Sequence, residues 1–172
     1  LSFLQKNLLD TRRPLVTFVP GARWEKKRWP PHSFSRLGDL LNQKMGAGII
    51  VAGSRQENRL IHEIRSAMKS PSSEAVDFSL TKLTALLSKS DVVVTNDSGP
   101  MHIAVAMRTP VVALFGPTDP ARTGPYSKKC LIIQRDLECI PCFRKQCSQG
   151  SFECMDSITV EEVFEGIKKI LR

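Results

Sequence analysis

The chain has 172 residues, 41% apolar and 24% charged, which is enough to build one sizeable core and too apolar for a disordered tail. Its apolar runs are only a few residues long, and LSFLQKNLLD lacks the basic-then-apolar order of a signal peptide, so neither a transmembrane span nor a leader is expected and a cytoplasmic setting is. With 25 Lys and Arg against 17 Asp and Glu the formal charge is +8, which favours anionic partners without saying which.

Residues 1–13 read as a linker or the remnant of an upstream region, because the sequence opens without methionine and its first convincing strand begins only after Pro14. From there short apolar strands alternate with segments of helical period, the pattern of an α/β fold with a parallel sheet covered by helices. Leu15 to Val19 is the first strand. Much of the positive charge lies around it, at Arg12, Arg13, Arg23, Lys26, Lys27, Arg28 and Arg36. Aromatic residues are not interleaved with these cations and no RNA- or DNA-binding motif is present, so a nucleotide or a lipid phosphate is expected in place of nucleic acid. Phe34, Leu37, Leu40 and Leu41 then recur on one helical face until Gly46 and Gly48 break it. Ile49 to Val51 forms a second strand ending at Ala52-Gly53. Leu60, Ile61, Ile64 and Met68 mark a second helix, Ala75 to Phe78 a short strand, and Leu80, Leu83, Leu86 and Leu87 a third helix.

Asp91 to Met107, DVVVTNDSGPMHIAVAM, reads as a buried strand, a polar turn and a helix start. Pro100 suits a first helical position, and the free amides there face the crevice beyond the strand, where a phosphate could bind without a basic residue. The competing reading is that Asp97 or Ser98 merely caps a structural helix. Val111 to Phe115 is a fifth strand, followed by a Pro- and Gly-rich loop through Pro125 and a sixth strand at Cys130 to Ile133. A terminal helix is expected over 159–171, where Thr159 and Glu162 have capping-box spacing and Val163, Phe164, Ile167 and Ile170 face inward.

In an open parallel sheet ligands bind beyond the carboxyl ends of the strands. Four polar turns fall there: Pro20-Gly21-Ala22, Gly53-Ser54-Arg55, Asn96 to Pro100, and Gly116 to Pro120. Both the dinucleotide fingerprint G-x-G-x-x-G and the P-loop G-x-x-x-x-G-K-[ST] are absent, so the anion is held differently. Glu57, just after the second of these turns, is placed to accept ribose hydroxyls, or else is a first-turn glutamate favoured by a helix dipole. In the Cys-rich loop 136–157, Cys139-x2-Cys142-x4-Cys147-x6-Cys154 has the look of a four-thiolate site. A structural zinc would fill it and leave no open position for chemistry; free thiols are the alternative, stable disulfides being disfavoured in a cytoplasmic setting.

GARWEKKRWP at Gly21 to Pro30, NDSGPMH at Asn96 to His102, FGPTDP at Phe115 to Pro120, and ECIPC with a following Cys154-Met155 together resemble glycosyltransferase family 9, which holds the ADP-heptose:lipopolysaccharide heptosyltransferases. The resemblance runs from about Pro14 to the end in the family's motif order. It implies that 14–172 is the carboxyl-terminal, nucleotide-sugar-binding domain, a Rossmann-like parallel sheet with helices on both faces that forms one half of a GT-B architecture. The implied partners are an ADP-heptose donor and a lipopolysaccharide core acceptor held by a missing amino-terminal domain, with anionic membrane at the inner face of the inner membrane as a further contact. No cofactor is implied for catalysis, and the general base is expected outside this chain. Lys27 matches a family lysine at the diphosphate-sugar region, His102 a histidine near the phosphates, and Phe78 an apolar residue against the adenine. Ser98 and Gly99 would cradle the diphosphate beside Gly21, while Asp97 would cap the helix or accept sugar hydroxyls, because a carboxylate repels phosphate. Thr118 and Asp119 would line the sugar pocket. Two alternatives stay open: a nucleotide-binding or zinc-loop interaction module without transferase activity, and a family 9 transferase using a different sugar.

Overall fold

The computed structural model describes residues 13–144, 147 and 150–172; apart from Arg13, the expected linker lies outside the described residues. Six strands are formed, β1 (Leu15–Val19), β2 (Gly48–Gly53), β3 (Ser72–Val76), β4 (Val92–Asn96), β5 (Val111–Phe115) and β6 (Cys130–Gln134). They pair in the order β3-β2-β1-β4-β5-β6, every neighbour parallel. This is a Rossmann-like sheet whose strand order reverses between β1 and β4, the topological switch point of such folds. The helices are α1 (Pro31–Met45), α2 (Asn58–Ala67), α3 (Leu80–Lys89), α4 (Gly99–Ala106), the one-turn α5 (Pro120–Thr123) and α6 (Glu153–Asp156), and α7 (Val160–Ile170).

β1, β4 and β5 are buried along their whole length, as their continuous β-branched and aromatic runs require of strands covered on both sides. Alternation along β1 sorts the core into two clusters. Val16 and Phe18 pack with Phe34, Leu37, Ile61, Ile64, Val163 and Ile167, so α1, α2 and α7 cover one face. Leu15 and Val19 pack with Leu86, Leu87, Met101 and Ala104, so α3 and α4 cover the other. α1 opens on Pro31 and stops at Gly46, whose φ of 63° is left-handed, the termination expected when glycine follows the last turn.

The third strand is shifted from its expected place at Ala75 to Phe78. β3 lies at the sheet edge, paired with β2 alone, so its Ser72 to Glu74 half tolerates polar side chains and hides from an apolar-run reading. Asp77, at φ 58°, then turns the chain out, leaving Phe78 beyond the strand. The short helices α5 and α6 and the 3-10 turns at Glu25–Lys27 and Arg55–Glu57 were not anticipated from periodicity, being too short to show any.

The terminal helix begins with the expected reciprocal cap: Glu162 N donates to Thr159 Oγ1 at 3.2 Å and Thr159 N to Glu162 Oε2 at 2.9 Å. Arg135 clamps the same carboxylate, Nη1 donating to Oε1 at 2.7 Å. Those hydrogen bonds from Arg135, aided by Thr159, hold the Glu162 carboxyl down at about 2. A folded-state pKa below the unfolded one contributes stability that is present above about 4.5 and is lost as pH falls towards about 2. Thermal melts from pH 6 to pH 2 should therefore show an acid loss of stability that Glu162→Gln partly lacks; identical acid slopes would remove this clamp from the account.

Candidate functional site

β1 and β4 end side by side at the switch point, Val19 opposite Thr95, and the chain leaves them in different directions. The crevice between has a volume of about 350 Å³ and is lined by Gly21 and Arg23 after β1, Ser54 and Glu57 after β2, Asp77 and Phe78 after β3, and Ser98 to Pro100 after β4. Gly21, Glu57, Phe78, Ser98 and Gly99 are thus brought to one place. Glu57 lies across its floor: Oε2 accepts from Ser54 N at 2.7 Å and Ser54 Oγ at 2.8 Å. A Cβ on Gly21 would come within 1.6 Å of Glu57 Oε1, so any other residue at position 21 displaces the carboxylate. A Cβ on Gly99 would meet nothing within 4 Å, which leaves room for a ligand at the helix start. Phe78 packs on the α3–α4 core and presents the rest of its ring to the crevice.

At the start of α4 neither Asp97 nor Ser98 caps the helix with its side chain, which corrects that reading. Ser98 Oγ pairs instead with Thr95 Oγ1 at 3.1 Å, so the first-turn amides keep their capacity for an anion. Asp97, only 7% exposed, turns away from the helix because a buried carboxylate is far better placed against a cation and a hydroxyl. Its Oδ2 accepts from Lys27 Nζ at 2.5 Å and from Thr118 Oγ1 at 2.8 Å. Lys27, Asp97 and Thr118 therefore form a second cluster beside the crevice, outside its lining. Lys27 Nζ also lies 4.9 Å from the Trp24 ring centre. His102 is exposed on α4 and is neither a packing histidine nor part of the crevice lining. Asp119 is occupied as a cap, its Oδ1 accepting from Ala121 N at 2.8 Å at the start of α5.

Three residues have roles that the sequence reading did not assign to them. Asn96, fully buried, accepts from Trp29 N at 3.1 Å and donates to Pro20 O at 2.7 Å, fastening both ends of the 20–29 loop to β4. Trp29 is fully buried and donates from Nε1 to Ile158 O at 2.9 Å. Arg28 grips Ala22 O from inside the loop at 2.9 Å, which leaves Arg23 as the arginine that lines the crevice. The available signal was the amide side chain at the end of an otherwise apolar buried strand, since such a group has to be bonded to something specific.

Cys139, Cys142, Cys147 and Cys154 line a separate cavity of about 310 Å³, together with Lys26, Arg144 and Glu153. Burial, then the neighbouring Cys142, Cys139 and Cys147, push the Cys154 thiol up to about 11. The four sulfurs share a wall without forming a ligand shell: among the described residues no three His, Cys, Asp or Glu side chains are gathered to hold a metal ion. Among the same residues no helix is long and apolar enough to cross a membrane.

Residues 3–153 match the family described as glycosyltransferase family 9 (heptosyltransferase). The chain is 33% identical over 98% of its length to lipooligosaccharide heptosyltransferase 2 of Haemophilus ducreyi, of which it covers 51%. Among solved structures it is similar to Escherichia coli ADP-heptose lps heptosyltransferase II, with a TM-score of 0.84 at 28% identity, over 99% of this chain and 50% of that one. A glycosyltransferase family 9 structure from Veillonella parvula gives a TM-score of 0.87 at 25% identity, again over 99% of this chain and 49% of the other. The chain thus spans about half the length of the relatives it matches.

Proposed function

The chain belongs to glycosyltransferase family 9, and we propose that residues 14–172 form the carboxyl-terminal, donor-binding domain of an inverting heptosyltransferase that moves heptose from ADP-heptose to the lipopolysaccharide inner core. The carrying observation is the crevice at the β1/β4 switch point, where an acid, an aromatic ring and an uncapped helix start face one cavity. Each part of an adenosine diphosphate has a counterpart there. Phe78 takes the adenine, the Glu57 carboxylate accepts ribose hydroxyls, and the amides at Ser98 and Gly99, with Arg23, meet the diphosphate. Gly21 lets the nucleotide approach the β1 backbone without displacing Glu57. The Lys27–Asp97–Thr118 cluster, whose Asp97 directly precedes Ser98, serves the phosphate-sugar junction, while Asp119 and His102 are carried over from the family resemblance alone.

In the transfer the acceptor hydroxyl loses its proton to a base supplied by the other domain and attacks the anomeric carbon. The carbon–oxygen bond to ADP breaks as the new glycosidic bond forms, and inversion follows from the opposite-face attack. Charge accumulating on the departing diphosphate is offset by Lys27 and the α4 amides, so no metal is required for this step. In the Cys-rich loop 136–157 the free-thiol alternative is the better supported, because the four cysteines line one cavity without three of them being gathered to hold a metal ion. A cytoplasmic site at the inner face of the inner membrane fits both the net charge of +8 and the acceptor.

Titrating ADP, UDP and GDP into the chain while following amide shifts tests the reading. ADP should be preferred, with changes clustered at Gly21, Glu57 and Asn96 to His102, and the chain alone should transfer no heptose. A preference for UDP or GDP would point to another donor, binding of none of them to an interaction module, and heptosyl transfer by the chain alone would overturn the division of labour between domains.

A further inference from the structure

Lys26 is 2% exposed, a burial that lysine rarely accepts unless it is paired with an anion. Among the described residues its one side-chain hydrogen bond runs from Nζ to Cys142 Sγ at 3.6 Å, and the Trp24 ring centre lies 6.0 Å away. A neutral thiol is a weak acceptor and a ring face at that distance a weak partner, so neither compensates a desolvated ammonium. Lys26 and Cys142 both line the cavity of about 310 Å³, and so does Glu153, yet Lys26 donates to sulfur and not to that carboxylate. Cys154 brings no negative charge either, because burial and its neighbouring thiols keep it protonated at neutral pH. The cation therefore faces a cavity whose walls hold no partner of opposite sign for it, while Leu137, Ile140 and Phe152 make much of the rest of the lining apolar.

We propose that this cavity is a second ligand site, which binds a small organic carboxylate with its charge on Lys26 Nζ and its carbon body against Leu137, Ile140 and Phe152. A buried cation among apolar walls is the complement of an acid with an apolar body, and such a ligand brings the partner that the ammonium lacks. The ammonium is already desolvated in the folded chain, so the ligand gains a charge-assisted contact without that cost arising on binding. Lys26 and Arg144 against Glu153 leave one positive charge on the lining, which suits a single negative charge better than a phosphate dianion. The site is distinct from the switch-point crevice, because no residue lines both cavities. It is nevertheless fastened to the same edge of the sheet: Pro117 O, in the loop after β5, accepts from Cys142 N and Phe143 N, both at 3.0 Å, and the next residue is the Thr118 that bonds Asp97.

The test titrates the purified chain, under reducing conditions and at constant ionic strength, with propionate, hexanoate, hexanol and inorganic phosphate while amide shifts are followed. Hexanoate should saturate shifts at Lys26, Cys142 and Cys154, binding about 10-fold more tightly than propionate because its additional methylenes meet the apolar walls. Hexanol, which has the same body without the charge, and phosphate should each bind at least about 10-fold more weakly than hexanoate. Lys26→Met should weaken hexanoate by about 10-fold or more. The same variant should be at least as stable as the wild type without ligand, since an apolar side chain replaces a buried charge that has no ionic partner. Hexanoate should raise the melting temperature of the wild type and leave that of Lys26→Met nearly unchanged. Equal hexanoate affinity in wild type and Lys26→Met, or hexanol binding as well as hexanoate, would overturn the role of the cation. Phosphate binding more tightly than propionate would overturn the choice of a carboxylate, and no saturable shift at the cavity would overturn the site itself. Should Lys26→Met fail to fold, the comparison of hexanoate with hexanol on the wild type decides the role of the charge. Shifts caused by ADP at the switch-point crevice are a separate result, so either site can fail without the other.

Discussion

Replacing Lys27 with methionine should weaken ADP binding by about 10- to 100-fold, the loss expected for a charge-assisted contact of about 1.5–3 kcal/mol. In the two-domain enzyme proposed above it should lower kcat by about 10²- to 10³-fold, as removal of a preorganised charge from a developing anion does elsewhere. Two separate effects add under the proposed function. The ammonium proposed to meet the departing diphosphate is gone, and Asp97 is left 7% exposed with Thr118 as its remaining partner. That uncompensated carboxylate then repels the same diphosphate. The double variant Lys27→Met with Asp97→Asn should consequently bind ADP better than Lys27→Met alone, because the repulsion is removed although the attraction is not restored. Isothermal titration of the three proteins against ADP decides this. Unchanged affinity in Lys27→Met would take Lys27 out of the donor site, and a double variant no better than the single one would make Asp97 a mere anchor.

The pair also shows where sequence reasoning stops. Lys27 and Asp97 were both singled out, but as independent residues, because 70 positions of sequence separate them and only the parallel pairing of β1 with β4 brings their loops together. Strands β1, β2, β4 and β5 were legible because burial on both faces demands apolar runs, and β6, the other edge strand, because Cys130 to Ile133 is apolar although it is only partly buried. β3 was misplaced because an edge strand is released from that demand on one side. Gly21, Glu57, Ser98 and Gly99 were legible at or beside turns on the carboxyl edge, Phe78 only as a strand end that the family resemblance singled out, and the fold brings all five to one crevice. What stayed hidden was how the loop carrying Lys27 is held. Arg23, Lys26 and Arg28 look alike in sequence, yet the first lines the crevice, the second is buried against sulfur and the third grips a carbonyl of its own loop. Charge in a cluster reports only its sign, and the direction of each side chain is set by packing.

Trp29→Ala should destabilise the chain by about 3–5 kcal/mol, the cost of emptying a large aromatic site in a close-packed core. Total stabilities of domains are about 5–15 kcal/mol, so this single change removes a large share. Trp29 is fully buried, edge-on to Phe34 with ring centres 5.0 Å apart, and it joins three parts of the fold. Its amide donates to Asn96 at the end of β4, its indole N–H donates to Ile158 O just before α7, and its ring fills the core between the sheet and α1. Trp29→Phe keeps most of the apolar volume and loses the indole donor, which leaves Ile158 O unpaired and should cost about 1–3 kcal/mol. Urea melts should show the midpoint falling in the order wild type, Trp29→Phe, Trp29→Ala, with the slope unchanged if all three unfold in two states. A loss below about 1 kcal/mol for Trp29→Ala would mean the site collapses around the void and the loop is held by Asn96 alone. The functional consequence follows from connectivity: Trp29 is two residues beyond Lys27, so the core tryptophan sets how firmly the turn is held. ADP affinity should then fall in Trp29→Ala even where the chain remains folded, whereas in Trp29→Phe, which keeps a ring in the core beside Phe34, it should stay close to the wild type; the backbone bond from residue 29 to Asn96 is common to both variants.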